Sequence, residues 1–369
     1  MTVRGIIASA IAACLLTSSI AVRAQAGSDH ERAVDRLVTS FASNHHVPGL
    51  SVAVIDRGRV LLARGYGLSD LENQVPATAD TVYRIASVSK SITATAAMKL
   101  VEGGKLDLDA PIQKYCPDFP QKPWPITTRE LLSHQSGIRD YKDIQESFNT
   151  RHYTSIKEAL PQFAGDALDF EPGTKMQYTS YGYIVLGCVL EGASGVSYER
   201  YMSQAIFDPA QMPATRLDDV FAIIPHRARG YKLLDSGEVQ NASFVDVSNK
   251  PPGSGINSTV RDMGAFVAAL YSSKLVSKPT LERMLTPSNT RDGKPTIYGM
   301  GFFLGGPISK HDGMREAGHG GDQQGYSSLL YLLPEREFGV VVLSNLEAPD
   351  TSRDFIDLAH QIYDIVSVH

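Results

Sequence analysis

Apolar positions at Ala33, Leu37 and Phe41 recur one helical turn apart, predicting an amphipathic helix over residues 29–42. Two β-rich runs follow, LSVAVI (50–55) and RVLLARGYG (59–67), separated by Asp56-Arg57-Gly58. That pattern predicts a hairpin with a short turn. The next stretch, RIASVSKSITATAAMKL (84–100), is small or apolar almost throughout, and between Ala86 and Met98 its only charge is Lys90. A helix apolar nearly all round is a buried helix, and Gly103-Gly104 stops it. Thr127-Thr128-Arg129-Glu130 reads as a capping box opening a short helix, ELLSH. Pro172-Gly173 marks a turn before YTSYGYIVLGCVLEGASG, read as loop, helix and glycine-rich stop. Thr259-Val260-Arg261-Asp262 is a second helix start, with Asp262 shorter than the usual Glu. The chain then returns to strand-like runs, IYGMGFFLGG (297–306), YSSLLYLL (326–333) and FGVVVLSN (338–345), and ends in a helix over 352–366.

Strands at both ends with helices between predict a mixed α/β fold of the α+β kind. One antiparallel sheet would be completed by the two ends of the chain and flanked by helices, with an inserted, mainly helical lobe. The expected division is an α/β lobe over 27–104 and 256–369 and a helical lobe over 105–255. The composition, 43% hydrophobic and 20% charged over 369 residues, is that of a globular protein large enough for two lobes.

Residues 1–26 stand apart. MTVRGIIASAIAACLLTSSIAVRAQA has Arg4, an apolar stretch and Ala24-Gln25-Ala26, the layout of a secretory leader cleaved after Ala26. Thr17, Ser18, Ser19 and Arg23 leave its apolar span too short to cross a bilayer well. Ile11-Ala12-Ala13-Cys14 resembles a lipobox, but the apolar run continues past Cys14, so lipid anchoring is the second reading. The expected location is periplasmic or secreted. The formal charge of −5 becomes two units more negative once Arg4 and Arg23 leave, and with no basic cluster this disfavours nucleic acid as a partner. Cys116 and Cys188 remain. An exported compartment permits a disulfide between them; two free or buried thiols are an equal expectation. No CxxC or HxxxH spacing points to a metal site, and His311, Asp312, Glu316, His319 and Asp322 read as a polar loop.

Lys90 raises the chemical question. On a helix, residues three apart share a face, and of the serines around it only Ser87 has a lysine at that offset. A lysine in a buried helix is desolvated, which lowers its pKa. A neutral amine beside a hydroxyl can take its proton, making Ser87 a nucleophile and Lys90 its base, with the helix N-terminus favouring a developing oxyanion. Ser-x-x-Lys alone is a weak signal, because it arises by chance about once in a chain of this length. A lysine snorkelling at a helix edge is the ordinary alternative.

Other segments sharpen that signal. SVSK on a buried helix, a tyrosine at the opening of a later helix and a His-Gly-Gly beside a strand occur in one order. Together they resemble the penicillin-binding protein and serine β-lactamase family, its class C-like group, and within that the LACTB-type serine hydrolases. The stretches carrying the resemblance are RIASVSKSITATAAMKLVEGGKLDLDAPIQKYCPDFP, ITTRELLSHQSGIRDY, FEPGTKMQYTSYGYIVLGCVLEGASG, GSGINSTVRDM and GHGGDQQGYSSLLYLLP, spread over about residues 48–345. The resemblance implies that Ser87 is acylated, that Lys90 activates it, and that Tyr178 shares the proton relay with a lowered phenol pKa. It places His319-Gly320-Gly321 at the family's Lys-Thr-Gly strand, where the Asp322 N–H would join that of Ser87 in an oxyanion hole.

Two departures bear on substrate. Ser180 stands where the family has an asparagine that contacts the substrate, and a helix N-cap is its ordinary reading. His319 replaces a lysine that attracts the carboxylate of penicillins and D-Ala-D-Ala, and a histidine is only partly charged at neutral pH. His134, in LLSHQSG, reads as structural. The expected activity is therefore acyl-enzyme hydrolysis of an ester or peptide bond in a small-molecule or peptide substrate, without metal or cofactor. The alternatives are a class C-type β-lactamase, a D-Ala-D-Ala carboxypeptidase, or a non-hydrolytic receptor or self-assembling scaffold; a homo-oligomer is compatible with each. An α/β-hydrolase would need Gly-x-Ser-x-Gly, and a class A β-lactamase Ser-Asp-Asn; the chain has neither.

Overall fold

The structure, a computed structural model, describes residues 29–304, 310–311, 313–347 and 351–367. The expected leader with Cys14 and Ala26, Gly305 and Gly306 of the expected strand run, and Asp312 lie outside the described residues.

Among the described residues the main sheet has strands β1 (Gly49–Asp56), β2 (Arg59–Asp70), β3 (Val75–Pro76), β4 (Ala317–Gln323), β5 (Tyr326–Leu333) and β6 (Phe338–Ser344), in the order β4-β5-β6-β1-β2-β3. Every pairing is antiparallel. The sheet is closed by the register Val52↔Val342 between β6, from the end of the chain, and β1, from its beginning. The β1–β2 hairpin turns on Arg57 (φ 50°) and Gly58 (φ 70°). Two positive φ values match the right-handed twist of the flanking strands.

Both faces of the sheet are covered, which is why LSVAVI is apolar without alternation. Leu50, Val52 and Val54 face helix α1 (29–44) and the last helix, Thr351–Ser367. Ala53 and Ile55 face the opposite layer, which includes helix α2 (Ser89–Glu102). Each large side chain buried in this way contributes about 1.5–3 kcal/mol. The remaining helices used below are α3 (Thr128–Leu132), α4 (Ser180–Ser194) and α5 (Val260–Tyr271). The capping box at Thr127 and Glu130 is complete. At α5 the Thr259 hydroxyl caps the Asp262 N–H, whereas the Asp262 carboxylate accepts from Ala214 and Thr215.

The expectations about elements, caps and cysteine pairing need three corrections. The run from 297 is not a strand. It is a loop held by single bridges, Tyr298↔Phe303 and Phe303↔Gly318. Gly301 has φ 87°, and a Cβ there would lie 2.3 Å from that of Ala94, because the loop crosses α2 in close contact. Second, Cys116 and Cys188 are not free thiols: they are bonded, with Cα atoms 5.4 Å apart, tying the loop before α3 to the middle of α4. Third, Ser180 is not the N-cap of α4. Thr179 is, its hydroxyl accepting from the Gly182 N–H, and Ser180 opens the helix itself.

Candidate active site

Ser87 is not on the helix proper. It occupies a single 3₁₀ turn, Ala86–Val88, that runs directly into α2. This turn and the first residues of α2 set Ser87 Oγ 3.1 Å from the Lys90 side-chain nitrogen. The turn is clamped on both sides. The Ile85 N–H donates to the Ile256 carbonyl (3.0 Å), and the Ser328 hydroxyl of β5 donates to the Ile85 carbonyl (2.8 Å). Between them Ala86 is held at φ 45°, a conformation that L-residues adopt only when their surroundings enforce it.

Lys90 is fully buried, with its side-chain nitrogen 3.1 Å from Ser87 Oγ, 2.9 Å from the Gly253 carbonyl and 3.5 Å from Ser180 Oγ. Burial pushes its pKa from 10.5 down to about 7; Asp140 raises it and Lys250 lowers it by smaller amounts. Three oxygens surround this nitrogen. In its neutral form two N–H groups serve Gly253 and Ser180, and the lone pair is left for the Ser87 hydroxyl proton.

Tyr178 closes the other side of Ser87, with the Lys90 nitrogen 4.8 Å from its ring centre. The expectation of a lowered phenol pKa is corrected: burial pushes Tyr178 well above its ordinary value, against the smaller pull of its hydrogen bond with Ser87. Neutral phenol, not phenolate, is the form beside Ser87. His134 holds this tyrosine in place. Its ring packs on Tyr178 at 4.3 Å, and Nδ1 accepts from the Thr179 N–H at 3.2 Å, the structural part expected of it.

On β4, Gly321 lets the strand approach the turn. A Cβ at Gly321 would lie 2.7 Å from the Ile85 carbonyl oxygen and 2.9 Å from Ser87 N. Gly318 exchanges backbone hydrogen bonds with Phe303 at the outer edge of the strand (3.1 and 2.8 Å). Strand alternation therefore directs the Asp322 N–H to that same outer edge, and Asp322 lines a cavity of about 260 Å³ together with Ser87 and Ser180. His319 does not present a charge to this cavity, which corrects its expected role. Its ring is buried, Nδ1 donates to the Gly320 carbonyl (2.6 Å), and Nε2 accepts from the Tyr298 hydroxyl (3.1 Å). Burial pushes its pKa down to about 3, so the imidazole is neutral.

Sequence reasoning missed several residues gathered here. The Asp140 carboxylate accepts from the Ser180 N–H at 2.9 Å, and Gly253 supplies the carbonyl that holds Lys90. Lys250 and Gln323 line the cavity. No motif spacing marks them, since they arrive from distant loops. A larger cavity of about 460 Å³, lined by Arg129, Arg283 and Arg291, lies elsewhere and holds no serine with a lysine beside it.

Comparison with known proteins agrees with this geometry. A family model described as Beta-lactamase matches residues 34–363. Human serine beta-lactamase-like protein LACTB, mitochondrial, is 31% identical, the match covering 82% of this chain and 71% of the relative. An octameric penicillin-binding protein homologue from Pyrococcus abyssi superposes with a TM-score of 0.75 at 26% identity, covering 91% of this chain and 77% of the other. A D-stereospecific amidohydrolase from Streptomyces superposes with a TM-score of 0.72 at 25% identity, covering 88% and 97%.

Proposed function

This chain belongs to the beta-lactamase family of serine hydrolases, and we propose that it cleaves ester or amide bonds through an acyl-enzyme on Ser87. The observation that carries this reading is the buried Lys90 nitrogen 3.1 Å from Ser87 Oγ, with burial favouring its neutral form at physiological pH. In the proposed cycle Lys90 takes the Ser87 proton as Oγ attacks the carbonyl carbon. The backbone N–H groups of Ser87 and Asp322 receive the oxyanion. The proton passes through the Tyr178 hydroxyl to the leaving oxygen or nitrogen as that bond breaks. Water then attacks the acyl carbon by the reverse relay, releasing the carboxylic acid and restoring Ser87.

An amide substrate is supported by the amidohydrolase likeness, whereas efficient turnover of penicillins is not part of the proposal. His319, neutral and turned inward, offers no cation at the sheet position where the family's lysine meets a β-lactam carboxylate. Export is also part of the reading. It rests on the leader-like residues 1–26 and on the Cys116–Cys188 disulfide, a bond that persists in oxidising compartments. Among the described residues no helix is long and apolar enough to cross a membrane.

The test is covalent labelling with a fluorophosphonate together with hydrolysis of a p-nitrophenyl ester. The wild-type protein should label and turn over. Ser87→Ala should do neither while keeping its melting transition. Wild-type turnover in Ser87→Ala would refute the proposal.

A further inference from the structure

The cavity beside Ser87 has a second cation that the proposed chemistry does not use. Lys250 is 5% exposed and lines the cavity from the helical side. Its ammonium donates to the Ser147 carbonyl (3.2 Å) and lies 5.3 Å from the centre of the Tyr141 ring. No carboxylate stands within ion-pair distance of it among the described residues. An ammonium has three donors, and one carbonyl and one ring face leave it short of acceptors. Burial, with Arg84 adding to it, pushes its pKa down to about 8, which leaves it mainly an ammonium at pH 7, and Asp140, whose carboxylate is engaged by the Ser180 N–H, opposes this only from farther away.

Across the cavity, Gln323 is 7% exposed, and neither its Nε2 nor its Oε1 has a hydrogen-bond partner. The Tyr141 hydroxyl has the Ser180 side chain as its polar neighbour. Buried polar groups are seldom left as Gln323 is, because each costs about 1–3 kcal/mol. An ammonium short of acceptors and a carboxamide with no partner beside one nucleophile mark a place where a polar ligand completes the set. The lining also carries Asp322 and Glu347, whose carboxylate accepts from the Gly325 N–H (3.1 Å) and faces Lys232 at 4.0 Å.

We infer that this cavity selects acyl substrates carrying a carboxylate or comparable small anion, seated on the Lys250 ammonium, with the Gln323 carboxamide pairing to a polar group nearer the scissile carbonyl. The inference rests on the serine-hydrolase reading and adds the substrate class. It also reassigns anion recognition from the His319 position on the sheet to the loop before Pro251.

Two matched pairs of probes test it. In one, the charge is on the acyl side: glutaric acid mono-p-nitroanilide against its methyl ester. In the other it is on the leaving group: 3-(butanoyloxy)benzoate against its methyl ester. The wild-type protein should favour the charged member of at least one pair about tenfold in kcat/KM. Lys250→Met, which keeps the stem against Tyr141, should bring that ratio to one or below, and Lys250→Arg should retain part of it. Lys250→Gln serves as the charge deletion if the Met variant does not fold. A wild-type ratio of one or less in both pairs overturns the inference, as does an unchanged ratio in the charge-deleted variant. Ser87-dependent turnover without preference sinks this inference alone. Absence of Ser87-dependent turnover of every probe sinks the hydrolase reading beneath it.

Discussion

The titration of Lys90 is the most demanding test of the proposed site. Its pKa falls from 10.5 to about 7 because a fully buried ammonium loses its hydration. At ~1.36 kcal/mol per pH unit, charging Lys90 costs about 5 kcal/mol more in the folded protein than in the unfolded chain. An ordinary lysine is neutral about once in 3000 molecules at pH 7, whereas this one is neutral about half the time. The acid limb of kcat/KM should therefore have a midpoint near pH 7. Lys90→Met should lose on the order of 10²–10⁴-fold in turnover, the usual worth of a positioned base.

The same shift has a stability signature. Between the folded pKa and the ordinary lysine value, the unfolded chain holds a proton that the folded protein has released. Stability therefore rises with pH across that window. At pH 7 the wild-type protein bears nearly the full burial cost, which Lys90→Met lacks, and by pH 9 about 2 kcal/mol of it has gone. Urea denaturation of both proteins at the two pH values reads the difference directly. The advantage of the Met variant should shrink by about that amount, although the lost bond to Gly253 lowers it at every pH. A pH-independent difference, or an acid limb with its midpoint above pH 9, would refute a neutral Lys90.

Three other outcomes follow from the structure. Replacing Cys116 and Cys188 by alanine opens a loop of 72 residues and should cost on the order of 4 kcal/mol in chemical denaturation. Gly321→Ala drives a Cβ to 2.7 Å from the Ile85 carbonyl, so it should lower stability by about 1–3 kcal/mol. It should also cut kcat far more than a surface substitution of equal stability cost, as steady-state kinetics would show. His319, held near pKa 3, releases its proton on folding when the solution lies between that value and its ordinary 6.5. Stability should therefore fall by about 1.4 kcal/mol for each pH unit from 6.5 down to about 3, and His319→Gln should flatten the acid side of the melting-temperature profile.

Much of this arrangement was legible in the chain because it is local. Lys90 stands out as a lone charge in an apolar helix, and the i, i+3 offset singles out Ser87. The β1–β2 hairpin and the Thr127 capping box are likewise short-range patterns. What was not legible depends on where distant segments meet. No pattern around Lys250 or Gln323 shows that they line the cavity with Ser87. The inward turn of His319 is set by Tyr298, on a loop whose glycines let it cross α2 although its composition reads as strand. The cap of α4 fell on Thr179 rather than Ser180 because both residue types cap well and only backbone conformation separates them.

One physical cause accounts for the division of roles around Ser87. Removing water disfavours the charged form of every titratable group, so it lowers the pKa of an amine and an imidazole and raises that of a phenol. Lys90, His319 and Tyr178 shift in those directions, and burial is the largest cause in each case. The result is an amine that can accept a proton, a phenol that can donate one, and an imidazole that does neither, with Ser87 between the first two. Had Tyr178 carried the lowered pKa expected from the resemblance, a phenolate and a neutral amine would have competed for the same proton. In its reactive, neutral form the relay has no charge beside Ser87, so an anionic substrate must then find its counter-charge at the wall. That is where Lys250 stands, half of its story told by Ser147 and Tyr141 and the rest open to a ligand.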